Sequence, residues 1–450
     1  MNNFLDYFRC PVDLASIETS PDLPADQGFF KFGGSVAFGR LVGGRPGKYA
    51  TDPLTDVMDS VTVANGRPCL PFDISEVTTN LREERYRQNG YNFLQQTTSG
   101  EAASRFYYFF RPLFAVGVRK HLQKVRLRGW DKIPFPRWPL DTSVDALMQS
   151  VMTLVLKAQG RTQIPFIWFW PEGSSACAMM THDVEGQAGL DFCEELMNID
   201  DSYAIKSAFQ LIPEGREEAW RRKAVSLRAR GFEVNLHDLN HDGQLFVDRG
   251  AFPQRARRIN EYARTFGSDG FRSGAMYREQ SWFSAFEFSY DMSVPNAAHL
   301  EPQRGGCCTV MPYFVGGLLE LPLTTVQDYT LFHILNDYSI ALWRRQIGLI
   351  SEHHGLVSVI THPDYLVGRR ERAVYIELLR YLADRRDRDG LWIALPGEIN
   401  RWWRNRQLMT LVPAGDGWRI EGPDSHRARV AYATLENDRL VYTFESIVPG

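Results

Sequence analysis

The 450-residue chain lacks most of the features that assign a protein at a glance. No apolar run approaches the roughly 18 residues needed to cross a bilayer. The stretch PYFVGGLLELPLTTV is too short, and glycine and proline interrupt it. The N-terminal MNNFLDYFRCPVDLAS has no basic start ahead of an apolar core, so no secretory signal is expected. Cysteine is scarce. Cys10, Cys69, Cys177, Cys193, Cys307 and Cys308 are scattered and none forms C-x-x-C, which argues against a disulfide framework and a cysteine zinc site. A reducing cytoplasm is the expected compartment. Neither sign of charge dominates: 51 basic and 54 acidic side chains leave a net −3, so no overall field draws nucleic acid or anionic lipid. No repeat and no low-complexity tract is present.

What remains is a folded composition, 44% hydrophobic and 23% charged, with an aromatic share of 13% and 11 Trp that suits either a large core or a carbohydrate partner. At roughly 150 residues per domain, two or three units are expected. Residues 1–165 read as an irregular α+β N-terminal extension, with Gly/Pro-rich runs around a basic helix, RPLFAVGVRKHLQKVRLRGW. Residues 166–407 alternate short apolar runs with amphipathic stretches. Strands are expected at ACAMMTHD, FEVNLH, GLVSVITH and LWIAL. Helices are expected at EEAWRRKAVSLRAR (closed by Gly231), FPQRARRINEYARTF (ending near Gly267), YTLFHILNDYSIALWRRQIGLISEHH and RERAVYIELLRYLADRR. This rhythm predicts a parallel β/α architecture with its site at the carboxyl ends of the strands. Residues 408–450 alternate at period two around turns such as AGDG and predict a small antiparallel β appendage.

Polar residues gather at successive strand ends. MMTHDVEG presents His182, Asp183 and Glu185; VNLHDLNHDG presents His237 and His241; FRSG presents Arg272; FSYDMS presents Asp291 and Ser293; VITHPDY presents His362 and Asp364. Singly, each has an ordinary explanation: Asp183 as a helix N-cap, the histidines as surface residues, Arg272 in a structural ion pair. Together they suit metal chemistry. Two neutral imidazoles and a carboxylate hold Zn²⁺ or a similar ion with positions left open. Such an ion lowers the pKa of water toward about 7 and polarises a carbonyl. Hydrolysis needs in addition a carboxylate base and an acid, often His. Asp238 and Asp242 read as turn residues or as supports for an imidazole. His121, His299, His333 and His426 have no neighbours in sequence that single them out.

The motifs T-H-D-V-E, H-D-L-N-H, F-R-S-G, D-M-S and T-H-P-D, in this order over about residues 174–400, resemble those of the polysaccharide deacetylases with NodB homology, carbohydrate esterase family 4. The resemblance implies a distorted (β/α) barrel, one divalent metal, expected to be Zn²⁺, and removal of acetyl groups from a sugar or polysaccharide precursor. Asp183 matches the base, Glu185 the metal carboxylate, and His237 and His241 the metal imidazoles. Arg272 matches the arginine that orients the base, with a backbone N–H near Ala275 as oxyanion donor. Asp291 matches the carboxylate that holds the acid, and His362 matches that acid. Two departures stand out: Val184 separates Asp183 from a glutamate rather than an aspartate, and the third motif lacks its usual prolines and aromatic. An allantoinase-like amide hydrolase on the same barrel and a non-catalytic glycan-binding relative are the alternatives. The implied partner is a carbohydrate or an acetylated small molecule, with no nucleic acid and no membrane span. Trp130, Trp138, Trp168 and Trp170 either line a sugar platform or, as favoured here, bury the barrel's open side.

Overall fold

The computed structural model describes residues 3–87, 127–215 and 217–444. The basic helix expected from residue 111 lies outside the described residues up to residue 126, as does His121. The chain divides into two compact units. One comprises residues 1–92, 142–174 and 401–450, and the other residues 93–141 and 175–400.

The second unit carries the strand–helix alternation. Its elements are β1 (Ala176–Val184), α1 (Gln187–Ser202), β2 (Ala208–Leu211), α2 (Glu217–Ala229), β3 (Glu233–His237), α3 (Phe252–Phe266), β4 (Gly270–Arg272) and β5 (Tyr290–Asp291). Then follow β6 (Tyr313–Val315), β7 (Leu318–Glu320), α4 (Ala341–Glu352), β8 (Leu356–Thr361), α5 (Pro363–Leu366), α6 (Arg369–Asp389) and β9 (Leu391–Ile393). The nine strands form one curled sheet in the order β6-β7-β5-β4-β3-β2-β1-β8, with β9 also on β1. Within it only β6 and β7 pair antiparallel. Next to β8 the sheet is continued by side chains: the hydroxyls of Thr324 and Thr325 donate to Leu356 O at 2.7 Å and Ser358 O at 2.8 Å. The architecture is the expected distorted (β/α) barrel, with small antiparallel sheets elsewhere in the chain.

Burial explains the apolar runs. All nine residues of β1 and all six of β8 are buried, as strands covered on both faces require. Leu196, Phe209, Leu236, Phe271, Val359 and Leu379 belong to one continuous core. Helix α3 ends at Gly267, φ 60°, a left-handed position that glycine adopts without strain. The long helix expected over residues 329–354 is broken. A single π turn covers Thr330–Ile334, and α4 starts only at Ala341. Between them Asn336 takes φ 56°, and the Asp337 carboxylate accepts the Ser339 N–H at 2.9 Å, two local features that compete with helix continuation.

In the first unit the tail forms the small antiparallel β structure expected of it. Strand Val430–Glu436 pairs antiparallel with Gln163–Ile167 on one side and with Arg439–Phe444 on the other, so the C-terminal strands complete a sheet begun before the barrel. Asn437 and Asp438, φ 49° and 63°, make the tight turn between the last two strands. Trp168 and Trp170 are core residues of this unit, in ring contact with Tyr442 and Trp403 respectively, and are not platform residues. The RWWRNR segment is likewise structural: the buried Arg406 guanidinium donates to the carbonyls of Tyr7, Phe8, Ile167 and Trp168. Among the described residues no helix is long and apolar enough to cross a membrane.

In the barrel unit one buried amide ties the segment before the barrel to the loop after β5. Asn296 accepts from Asp141 N–H at 2.7 Å and donates to Asp141 O and Thr309 O at 2.7 and 2.8 Å. Replacing it removes all three of these buried hydrogen bonds, at about 0.5–1.5 kcal/mol each. Asn296→Ala is therefore expected to lower stability by about 3 kcal/mol, read as a shifted urea midpoint. Asn296→Leu should do no better, because it too supplies no polar atoms.

Candidate metal centre

Parallel register brings the strand ends to one place. Asp183 and Val184 close β1, His237 closes β3, Arg272 closes β4, and His362 directly follows β8. Glu185, His237 and His241 each offer a ligand atom within 4.8 Å of the others. Glu185 Oε1 stands 3.0 Å from His241 Nε2 and 3.6 Å from His237 Nε2. The extra methylene of glutamate and the intervening Val184 thus bring a carboxylate oxygen to both imidazoles. Burial would raise the Glu185 carboxyl pKa, but His241 foremost outweighs it and holds it well below the usual range.

The imidazole of His237 is prepared for a cation. Its Nδ1 lies 3.2 Å from Arg272 O, a group that only accepts, so Nδ1 carries the proton and Nε2 presents its lone pair. That Nε2 is buried and has no hydrogen-bond partner among the described residues, a costly state that a metal ion would relieve. The donor set of two imidazoles and one carboxylate fits Zn²⁺ or another borderline divalent ion.

Two charged pairs flank this cluster. Arg272, wholly buried, donates from Nη1 to Asp183 Oδ1 at 2.7 Å and to Thr181 Oγ1 at 2.8 Å, and from Nε to Met292 O. Asp183 Oδ2 remains 3.9 Å from His237 Nε2. Burial would raise the Asp183 carboxyl; Arg272 foremost overcomes it and leaves the group ionised. On the other side His362 Nε2 is 3.7 Å from Glu185 Oε1. Its Nδ1 lies 2.6 Å from Asp328 Oδ1, and its backbone N–H donates to Asp328 Oδ2 at 2.7 Å. Burial alone would lower the imidazole; Asp328 first, with help from Glu185 and Asp183, holds it up at about 10.

Asp328 corrects one expectation. Asp291 does not hold His362. It closes its own D-x-S turn, accepting from Ser293 N–H and Oγ at 2.9 and 2.8 Å, and pairs across the sheet with Glu320. Burial pushes the Glu320 carboxyl well up, and the neighbouring Asp291 adds to the shift. Asp328 follows an apolar run, as the other site carboxylates do. The sequence hid it because Pro322 and threonines make that run read as a loop.

The remaining motif residues take supporting places. Gly274 approaches so closely that a Cβ there would meet Asp238 Oδ2 at 2.4 Å and the His241 ring at 3.0 Å. Asp238, His241, Ala275 and Met276 all have φ between 53° and 58°, a concentration of strained backbone beside the imidazoles. Asp238 and Asp242 are turn residues, and Asp242 also binds Arg255 through both oxygens. Asp364 accepts the N–H groups of Gly186 and Gly189 at 3.2 and 3.0 Å, which fixes the backbone next to Glu185. His182, alternate to Asp183 on β1, points away from the cluster to Thr361 and Asp200.

No family model matches the chain, and no curated protein matches it. Among solved structures, a protein from Mycobacterium smegmatis assigned as a polysaccharide deacetylase is similar at 18% identity and TM-score 0.45, over 56% of this chain and 98% of that one. A Puue allantoinase is similar at 11% identity and TM-score 0.40, over 52% and 92%. A peptidoglycan deacetylase from Bacillus subtilis is similar at 10% identity and TM-score 0.33, over 51% and 93%.

Close to Asp328, the buried Glu301 accepts from Gln327 Nε2 at 2.7 Å, and burial raises its carboxyl from 4.5 to about 7. The folded protein then binds more protons than the unfolded chain between those values. Its stabilising share is complete below pH 4.5 and falls away as pH rises to about 7, by on the order of 3 kcal/mol. Glu301→Gln should abolish that fall, measured as a flatter melting temperature between pH 4.5 and 7.

Proposed function

We propose that this protein is a metal-dependent hydrolase that removes an acetyl group from an N-acetylated sugar or polysaccharide precursor in a reducing cytoplasm. The observation that carries the reading is the convergence of Glu185, His237 and His241 between an Asp183–Arg272 pair and a His362–Asp328 pair. The motif resemblance agrees with it.

A divalent ion held by Glu185, His237 and His241 would supply Lewis acidity to water and to the acyl oxygen. The protein's own groups do the rest. Asp183, kept ionised by Arg272, takes the proton of the attacking water as its oxygen bonds to the acyl carbon. The backbone N–H near Ala275 is the donor for the developing oxyanion. His362, kept protonated by Asp328, gives its proton to the departing nitrogen as the C–N bond breaks, leaving acetate and a free amine. Asp328 is a positioning residue for that acid. Support for turnover over a binding-only role comes from Glu185, whose reach to both imidazoles keeps the ligand set complete despite the Asp-Val-Glu spelling.

Purified protein is expected to carry about one divalent ion per chain, and His237→Ala to lose it by elemental analysis. Asp183→Asn should keep the ion and lose at least about 10²-fold in acetate release. Full activity in that variant, or ring-opening of cyclic amides with no acetate release from sugars, would overturn the reading. Asp328→Asn removes the charge that holds His362 up. The alkaline limb of its rate profile should move to lower pH, and an unmoved limb would remove Asp328 from the mechanism.

A further inference from the structure

We propose that the barrel unit holds a second ligand site, a cavity lined by Trp138 and Glu301 that binds the free ammonium group of an amino sugar. The inference rests on the proposed hydrolysis for the source of that amine, since deacetylation leaves one. The cavity, about 320 Å³ and open to solvent, is lined by Trp138, Leu300, Glu301, Thr324, Thr325 and Gln346 among others. None of its lining residues belongs to the cluster of Glu185, His237 and His241 or to the charged pairs that flank it. Its enclosed end takes a water-sized group, which matches an ammonium and excludes a sugar ring.

Charge and donor count select the occupant. Glu301 is the one ionisable residue among the described lining residues, and it is 7% exposed. Its Oε2 accepts from Gln327 Nε2 at 2.7 Å, while Oε1 has no hydrogen-bond partner among the described residues. Burial raises this carboxyl to about 7, the response of an acid short of donors. The two cations whose fields reach it are engaged elsewhere: Arg278 Nη1 donates to Met276 O at 2.9 Å, and His362 Nδ1 faces Asp328. Both threonines have given away their hydroxyl protons, Thr324 to Leu356 O and Thr325 to Ser358 O, so toward a ligand they can only accept. Gln346 is held at both ends of its amide, donating to Pro139 O at 3.0 Å and accepting from Val326 N–H at 3.1 Å. One acid with a free oxygen, beside hydroxyls that only accept, calls for a ligand that only donates and carries positive charge. An ammonium is such a group. Trp138, half-buried with the Trp130 ring at 4.7 Å, offers a ring face to the cation and to the C–H face of the sugar bearing it.

The test titrates the full, metal-loaded chain at pH 7 with glucosamine, N-acetylglucosamine and ammonium chloride, read by calorimetry. Glu301→Gln should weaken glucosamine binding by about tenfold, and Trp138→Leu by about fivefold. In Glu301→Gln, N-acetylglucosamine binding and acetate release from an N-acetylated tetramer should stay within about threefold of the parent. Melting temperature shows whether each variant folds; Glu301→Gln keeps the shape of the side chain and carries the test alone if Trp138→Leu does not fold. Glucosamine binding unchanged in Glu301→Gln or in a folded Trp138→Leu would overturn the site, and so would an equal loss for N-acetylglucosamine. Ammonium ions that bind as tightly as glucosamine, with the same dependence on Glu301, would overturn the sugar assignment. The hydrolase reading fails separately: absence of acetate release, with Glu301-dependent glucosamine binding intact, removes the activity and leaves the site standing.

Discussion

The site depends on the parallel register of β1 against β8. That pairing runs from Cys177 opposite Leu356 to His182 opposite Thr361, so Asp183 and Glu185 leave one strand where His362 leaves the other. A shift of one residue would turn Asp183 away from Arg272 and aim His182 at it, because side chains alternate faces. The register is secured from behind. His182 Nδ1 meets Thr361 Oγ1 at 2.8 Å, and Asp200 gathers His182, Ser207 and Tyr375 in a fully buried network. A network of this kind is stabilising only when every member is satisfied, which makes it intolerant of slippage. In front, Asp364 ties α5 to the start of α1 through Gly186 and Gly189, whose missing side chains leave room for its carboxylate.

Within that frame the charges are arranged in opposed pairs. Arg272 keeps Asp183 ionised and Asp328 keeps His362 protonated, so a carboxylate and an imidazolium coexist a short distance apart. Without its partner each group would follow burial toward neutrality. Asp291 and Glu320 stand apart from this chemistry: Asp291 closes its turn on Ser293, whose hydroxyl in turn accepts the Ser273 N–H and steadies the loop leading to Gly274. The D-M-S motif thus shapes the wall of the site and does not hold His362.

The other unit follows different rules. Its sheet is assembled from strands far apart in sequence, Gln163–Ile167 with Val430–Glu436, and Arg406 gathers four backbone carbonyls. Burial lowers that guanidinium to about 9, and its Nε and Nη2 are met by carbonyl oxygens.

Local patterns carried much of this. The apolar runs of β1 and β8, the closure of α3 at Gly267 and the hairpin rhythm of the tail are short-range signals, set by burial on both faces, by φ at one residue and by alternation at period two. The five polar strand ends, and with them Asp183, Glu185, His237, His241, Arg272 and His362, were legible because strand ends of such a sheet are where polar groups collect. The tertiary structure alone decided which groups meet. It broke the helix expected after Tyr329, gave His362 to Asp328 instead of Asp291, and joined the tail to residues 163–167. Those outcomes turn on side-chain hydroxyls bridging to β8, on a left-handed asparagine and on strand pairing between distant segments. None of these leaves a periodic trace in the chain, because each depends on what the fold carries alongside.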